Sequence, residues 1–269
     1  MPLKSNMKAK LSHSNISQSI YKKRLFVFSL LCALFALSAE NLKAQEFAKK
    51  VMLGIGANNP SIIQKSTAIS LDGNYMIFLS NLDGKWKFYD SEKQASGQWS
   101  EPQAITGIND YSETDNTLHS PSLNADATKL YFGGNYVNDG GGMNIYVAER
   151  VDGTWQNPVP LDAPINTPDY DGSPSITPDE KTLYFVRRNI ASENKDYNCR
   201  LIWVAHKNEK GFWNEPYLLP QPINLECEEC PTIAPDGKTL YFSSVRKYKD
   251  AIARESKDGY DLYYARNMS

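Results

Sequence analysis

Ser173-Pro-Ser-Ile-Thr-Pro-Asp-Glu-Lys-Thr-Leu-Tyr-Phe185 is the stretch that decides how this chain folds. It starts as a short β-prone run, turns at Pro178-Asp179-Glu180, and returns as the apolar-aromatic triplet Leu183-Tyr184-Phe185. Pro and Asp set turns, while aromatic and branched residues suit a pleated, half-buried surface. The unit recurs. Its turn reappears as Asp72-Gly73, Asp126-Ala127 and Asp236-Gly237, and its triplet as Met76-Ile77-Phe78, Leu130-Tyr131-Phe132 and Leu240-Tyr241-Phe242. The triplets are 54, 53 and 57 residues apart.

Further elements repeat downstream of each triplet. A second strand-like patch follows: Trp86-Lys-Phe-Tyr89, Asn144-Ile-Tyr-Val147, Leu201-Ile-Trp-Val204 and Asp261-Leu-Tyr-Tyr264. Then comes Trp-x-x-Pro (Trp99 with Pro102, Trp155 with Pro158, Trp213 with Pro216) and finally Ile-Asn (Ile108-Asn109, Ile165-Asn166, Ile223-Asn224). Each unit reads as four short strands, A to D, and strand D starts at the Trp. Outside the N-terminal segment no long stretch has a 3.6-residue apolar period. Four-stranded antiparallel units at a near-fixed spacing predict an all-β chain folded as a β-propeller of four four-stranded blades. The last unit stops after strand C, at Tyr264. Phe47-Ala-Lys-Lys-Val51-Met-Leu53 matches Trp155–Leu161, so the N-terminal strand is expected to close the last blade. The alternative is a part of a larger or dimeric propeller.

Composition agrees with a folded, exported domain. The 269 residues are 41% hydrophobic and 22% charged, which excludes wholesale disorder. Residues 1–44 read as a signal peptide and residues 45–269 as the propeller domain. Lys4, Lys8, Lys10, Lys22, Lys23 and Arg24 precede the uncharged run Leu25–Ala39, and Ala44 offers a small residue for cleavage. The run is 15 residues, shorter than the ~20 a spanning helix needs. A retained N-terminal anchor is the other reading. No transmembrane segment is expected after cleavage. The remaining chain would carry 22 basic and 30 acidic residues, a net of −8. Such a domain is a poor non-specific binder of nucleic acid or anionic lipid, so no nucleic-acid partner is expected.

The run Ser173–Phe185, with Pro231–Phe242 similar to it, resembles the TolB-type, WD-repeat-like propeller repeat of exported Gram-negative proteins. The Trp-x-x-Pro and Ile-Asn additions resemble versions often fused to OmpA-like domains in Bacteroidetes. The resemblance covers nearly all of residues 47–266 and implies a periplasmic, cell-surface or secreted protein. It speaks for fold far more than for function.

Antiparallel order puts the D–A and B–C loops on one face and the short A–B and C–D turns on the other. The B–C loops are long and dissimilar, so that face is the candidate functional face. Its D–A loops carry Asp110, Glu113 and Asp115, then Asp169 and Asp171, then Glu226, Glu228 and Glu229. Three readings stand for these carboxylates: a solvated rim, a site for a basic partner segment, or a structural calcium site. Arg187, Arg188 and Arg246 follow the triplet strands and suit either a bound anion or the neighbouring acidic loops. Binding candidates are therefore Asp169, Asp171, Glu226, Glu228, Arg187, Arg188 and Arg246. Cys199, Cys227 and Cys230 share this face, and one disulfide plus one free thiol is expected, with the pairing open. The repeated Trp residues are assigned to packing between blades.

No catalytic residue and no resident cofactor or metal is assigned. His119 and His206 lack a flanking nucleophile pattern. Val151-Asp-Gly-Thr-Trp155 lacks the Ser and the spacer of a sialidase Asp-box. The expectation is a non-catalytic propeller that binds an envelope or periplasmic protein. The alternative is a glycan-binding or glycoside-hydrolysing propeller using the same acidic and basic groups.

Overall fold

The computed structural model describes residues 63–111, 117–136, 142–188, 199–245 and 260–268. The signal sequence, the expected closing strand at 47–58 and Arg246 lie outside the described residues. Four antiparallel sheets form a four-bladed β-propeller. Blade 1 holds β1 (Gln64–Ile69), β2 (Tyr75–Ser80), β3 (Lys87–Glu92) and β4 (Gln103–Ala104). A single helical turn, α1 (Thr106–Asn109), follows it. Blade 2 holds β5 (Thr117–Leu123), β6 (Lys129–Asn135), β7 (Asn144–Val151), β8 (Thr154–Trp155) and β9 (Val159–Pro160). Blade 3 holds β10 (Asp171–Ile176), β11 (Thr182–Arg188), β12 (Arg200–His206) and β13 (Tyr217–Leu218). Blade 4 shows β14 (Glu228–Ile233), β15 (Thr239–Ser244) and β16 (Asp261–Arg266) among the described residues. No described helix is long and apolar enough to cross a membrane.

The A–B turns explain their signature. Gly73, Ala127, Glu180 and Gly237 occupy equivalent places and all have left-handed backbone, with φ of 72°, 55°, 57° and 64°. The preceding Asp72, Asp126, Asp179 and Asp236 each accept the N–H two residues on, at 3.1, 3.1, 3.1 and 2.8 Å. These are Asx turns, which let the non-glycine residues at two of the four places be held. The hydroxyls of Ser70, Thr128 and Thr177 pull the first three carboxyls below their ordinary range. The Lys238 N–H does so for Asp236, down to about 2.

Strand D departs from expectation. Trp99, Trp155 and Trp213 do not begin it; each pairs back onto the end of its own strand C, opposite Lys93, Arg150 and Lys207. The fourth strand proper is two residues long in blades 1 to 3. Pro102, Pro158 and Pro216 lie between Trp and strand, where a missing N–H prevents longer pairing. The Ile-Asn motif supplies what the short strand cannot. Asn109, Asn166 and Asn224 use Oδ1 to accept the N–H of Phe88, Ile145 and Ile202, each at 2.8 Å. Through Nδ2 they donate to the carbonyls of those same residues at 2.8, 2.9 and 2.8 Å. A side-chain amide thus takes the place of a ladder partner.

Apolar seams join neighbouring blades. Tyr75, Ile77 and Phe88 of blade 1 cluster with Leu130, Phe132 and Tyr146 of blade 2. Tyr131 and Ile145 of blade 2 cluster with Ile176, Leu183 and Phe185 of blade 3. Val186 and Ile202 of blade 3 cluster with Phe242, Tyr263 and Ala265 of blade 4. Trp155 adds a polar stitch, donating its indole N–H to the Tyr75 hydroxyl at 2.8 Å. On blade 4, Leu262 is 77% exposed, whereas Phe88, Ile145 and Ile202 at the matching register are fully buried.

The inner strands β1, β5, β10 and β14 each carry a bulge at the same place. Its first residue is Ser66, Ser120, Ser173 or Cys230, with φ of 50°, 50°, 47° and 50°. Left-handed backbone in a non-glycine residue is strained and persists only where its surroundings hold it.

The amide clamp gives a testable consequence. Asn166→Ala leaves the Ile145 N–H and the Leu161 carbonyl without their partner and takes one of two donors from the Ile145 carbonyl, a loss of about 3 kcal/mol. Thermal unfolding followed by circular dichroism should show a melting point lower by roughly 6–12 °C.

Candidate binding face

On the D–A/B–C face the two carboxylates that start inner strands are not surface groups. Asp171, the first residue of β10, is fully buried. Its Oδ1 accepts the Arg187 Nε–H at 2.6 Å, and its Oδ2 accepts both the N–H and the hydroxyl of Thr167 at 2.7 Å. Arg187 reaches on to donate to the carbonyls of Pro164 and Ile165 at 3.2 and 2.8 Å. Its guanidinium lies 4.9 Å from the Trp203 ring centre. Burial pushes the Asp171 carboxyl up and Arg187 opposes that shift. Glu228, the first residue of β14, is likewise fully buried. Its Oε1 accepts from the N–H groups of Leu225 and Glu226 and from the Ser244 hydroxyl, at 3.2, 3.1 and 3.1 Å. Both residues therefore tie down the loop that precedes their own strand.

Asp169 and Glu226 do reach the surface. Asp169 pairs with Arg188 at 3.2 Å, with both side chains more than a third exposed. Glu226 is exposed. Arg200, absent from the expected site, forms an ion pair with Glu229 across the seam between blades 3 and 4 and lies 4.0 Å from the Tyr170 ring centre. Burial raises the Glu229 carboxyl against the pull of Arg200. The placement of Asp169, Asp171, Arg187, Arg188 and Glu226 was readable from the repeat. The division into buried clamps and surface pairs was not, because Asp171 and Asp169 look alike in sequence.

His119 is the residue whose role on this face sequence reasoning missed. Its ring stacks on Tyr170 at 6.3 Å, and Nε2 meets the Tyr170 hydroxyl at 3.4 Å. Nδ1 meets the Ser120 hydroxyl at 3.1 Å. Gly133 is what lets the ring sit there, since a Cβ on it would fall 2.4 Å from His119 Cε1. Burial holds the imidazole neutral, with its pKa lowered to about 4. The chain of hydroxyls continues: Ser120 donates to Ser173 at 3.3 Å, and Ser173 hydrogen-bonds the Cys230 thiol.

Cys199 and Cys227 form a disulfide that joins the start of β12 to the loop before β14. Cys230 is the free thiol among the described residues. Cys227 and Cys230 are thus not bonded to each other, and Cys230 instead heads the β14 bulge. Among the described residues no group of three or more His, Cys, Asp or Glu side chains is placed to hold a metal ion.

The class that the fold defines is a four-bladed propeller with loops braced by buried ion pairs. No family model matches the chain, and no curated protein is significantly similar to it. Solved structures are similar in architecture. TolB from Acinetobacter baumannii aligns at 15% identity over 76% of this chain and 41% of its own, with a TM-score of 0.46. A putative TolB from Agrobacterium tumefaciens aligns at 15% identity over 75% of this chain and 60% of its own, with a TM-score of 0.48. A thermostable family-43 glycoside hydrolase aligns at 15% identity over 67% and 64%, with a TM-score of 0.43. The chain spans less than two thirds of each of these neighbours. What it has in common with them is the propeller fold.

Two predictions come from this face. Arg187→Met keeps the stem but strands the buried Asp171, costing about 3–5 kcal/mol near neutral pH. The loss should shrink as pH falls towards the carboxylate range, since a protonated Asp171 needs no counterion; urea melts at several pH values read it. For His119 the unfolded imidazole takes up a proton near pH 6.5 that the folded one refuses until about pH 4. Stability is therefore full above pH 6.5 and drains by about 3 kcal/mol as pH falls to 4. His119→Gln should flatten that acid limb in the same melts.

Proposed function

We propose that this protein is an exported, non-catalytic propeller whose D–A/B–C face receives a protein partner in the periplasm or at the cell envelope. The observation that carries the reading is the sorting of charges on that face. The groups with chemical potential are committed: Asp171 to Arg187, Glu228 to two loop N–H groups and the Ser244 hydroxyl of β15, Glu229 to Arg200, and His119 to a neutral buried niche. Among the described residues of that face, charge stays at the surface on Asp169, Arg188 and Glu226, on loops braced from beneath, and on Lys65 and Asp110. A rigid surface with complementary charges sets partner orientation and encounter rate. Residues 1–44 have the three-part pattern of a secretory signal, which supports export.

Glycoside hydrolysis needs two carboxyl groups facing one substrate. Asp171 and Glu228 are fully buried and hydrogen-bonded, so that alternative would have to use other groups.

The test is crosslinking of tagged protein in its native envelope, with co-purifying proteins identified by mass spectrometry. A reproducible partner is expected. It should be lost from the double charge reversal Asp169→Lys with Arg188→Glu, which leaves the buried clamps intact. Absence of any partner, or a partner indifferent to the reversal, would overturn this assignment of the face.

A further inference from the structure

The cavity on the propeller axis lies on the opposite side from the charged loops. It measures about 470 Å³ and is walled by the four inner strands. Its inner end is the ring of bulge residues Ser66, Ser120, Ser173 and Cys230. Beyond them comes an apolar belt of one aliphatic residue per blade: Ile69, Leu123, Ile176 and Ile233. The mouth is at the A–B turns, where Leu71 and Pro235 are exposed. Among the described residues no charged side chain lines this space. Lys65, His119 and Glu229, each one residue before a bulge, all stay out of it on the far side. In an acidic chain an uncharged hollow of this size is a selective feature.

Two of the four seams around this space are tied by a side-chain hydrogen bond. The Ser122 hydroxyl of blade 2 accepts the Ile176 N–H of blade 3 at 3.1 Å, and Ser175 accepts the Ile233 N–H of blade 4 at 2.9 Å. No such bond joins Thr232 of blade 4 to Ile69 of blade 1 among the described residues, and Ile69 is 54% exposed where Ile176 and Ile233 are 4% and 8%. Among the described residues the wall between blades 4 and 1 is therefore the most open one, beside the mouth at the A–B turns.

We propose that this cup is a binding site for an uncharged amphiphilic small molecule. Its apolar body lies in the aliphatic belt, and a hydroxyl or amide group meets the Ser66, Ser120, Ser173 and Cys230 floor. The volume falls in the range of small-molecule pockets, which pair apolar walls with a few convergent polar groups. Each serine hydroxyl has one donor and two acceptor positions, so the bonds of Ser120 to His119 and Ser173, and of Ser173 to Ser120 and Cys230, leave one position on each for a ligand. A charged ligand would lose its hydration with no counter-charge on the walls. Cys230 is exposed and belongs to the lining of the cup, although burial raises its thiol pKa, and it serves as a built-in reporter.

The probes are N-phenyl-1-naphthylamine, which is neutral, and its sulfonated analogue 1-anilinonaphthalene-8-sulfonate. Fluorescence titration reads binding. Alkylation of Cys230 by iodoacetamide, followed by peptide mass spectrometry, reads occupancy. The neutral dye should saturate at one site and slow Cys230 alkylation; the sulfonate should do neither. Thr232→Trp, which fills the cup, should weaken the dye by about tenfold or more. Ile69→Asp, which puts a charge in the belt, should do the same and replaces it should the Trp variant fail to fold by circular dichroism. Leu262→Ser, in the exposed strip of β16, should leave binding unchanged. Unslowed alkylation at saturating dye, binding indifferent to both cup variants, or binding lost with Leu262→Ser would overturn the proposal.

Discussion

The two-way hydrogen bond between an asparagine amide and strand C is the interaction on which this propeller depends. Asn109, Asn166 and Asn224 each satisfy one N–H that a two-residue fourth strand leaves over and add a second donor to the carbonyl of the same residue. Asn166 and Asn224 also bond the carbonyls of Leu161 and Leu219 at 2.6 and 2.7 Å. That second contact anchors the loop leading to the next inner strand. The loops braced by Asp171 and Glu228 hang from these anchors. A buried main-chain group without a partner costs as much as a lost hydrogen bond, so a polar side chain at this position outperforms an apolar one.

Between blades, polar straps supplement the apolar seams. Glu180 in the blade 3 turn accepts from Asn124, Lys129 and Tyr131 of blade 2 at 2.8, 3.1 and 3.2 Å. Arg150 of blade 2 pairs with Glu92 of blade 1 at 3.0 Å. Such contacts add directionality to a packing that aliphatic and aromatic residues alone would leave free to slide. The Cys199–Cys227 disulfide does the same between blades 3 and 4.

Much of this architecture was readable before any coordinates. The Leu-Tyr-Phe triplets recur because the first and third residues of the triplet on strand B are buried in every blade, while the middle one is buried only in blades 1 and 2. The Asp turns recur because each must supply the same left-handed step. Trp-x-x-Pro was legible as a unit but not as a hairpin, since its pairing partner is the end of its own strand C. The candidate face was legible only in part. Burial separates Asp171 from Asp169 and Glu228 from Glu226, and burial is a property of loop path, which residue type does not encode. His119 had no motif because its niche is made by absent side chains at Gly133 and Gly172. The axial cup was invisible for a related reason: serine, cysteine and isoleucine in strand A carry no mark of which way a bulge will turn them.

Those bulges divide each inner strand into two segments that can change independently. Before the bulge the four blades carry Lys65, His119, Gly172 and Glu229, which have nothing in common. After it they carry Ala68, Ser122, Ser175 and Thr232, then Ile69, Leu123, Ile176 and Ile233, which are close variants of one pattern. The extra residue absorbs the mismatch, so the segment above can take any size or charge without shifting the register below. A fourfold frame is thereby released from its symmetry at one end only, and a single chain can hold an irregular, specialised rim over a uniform axial base.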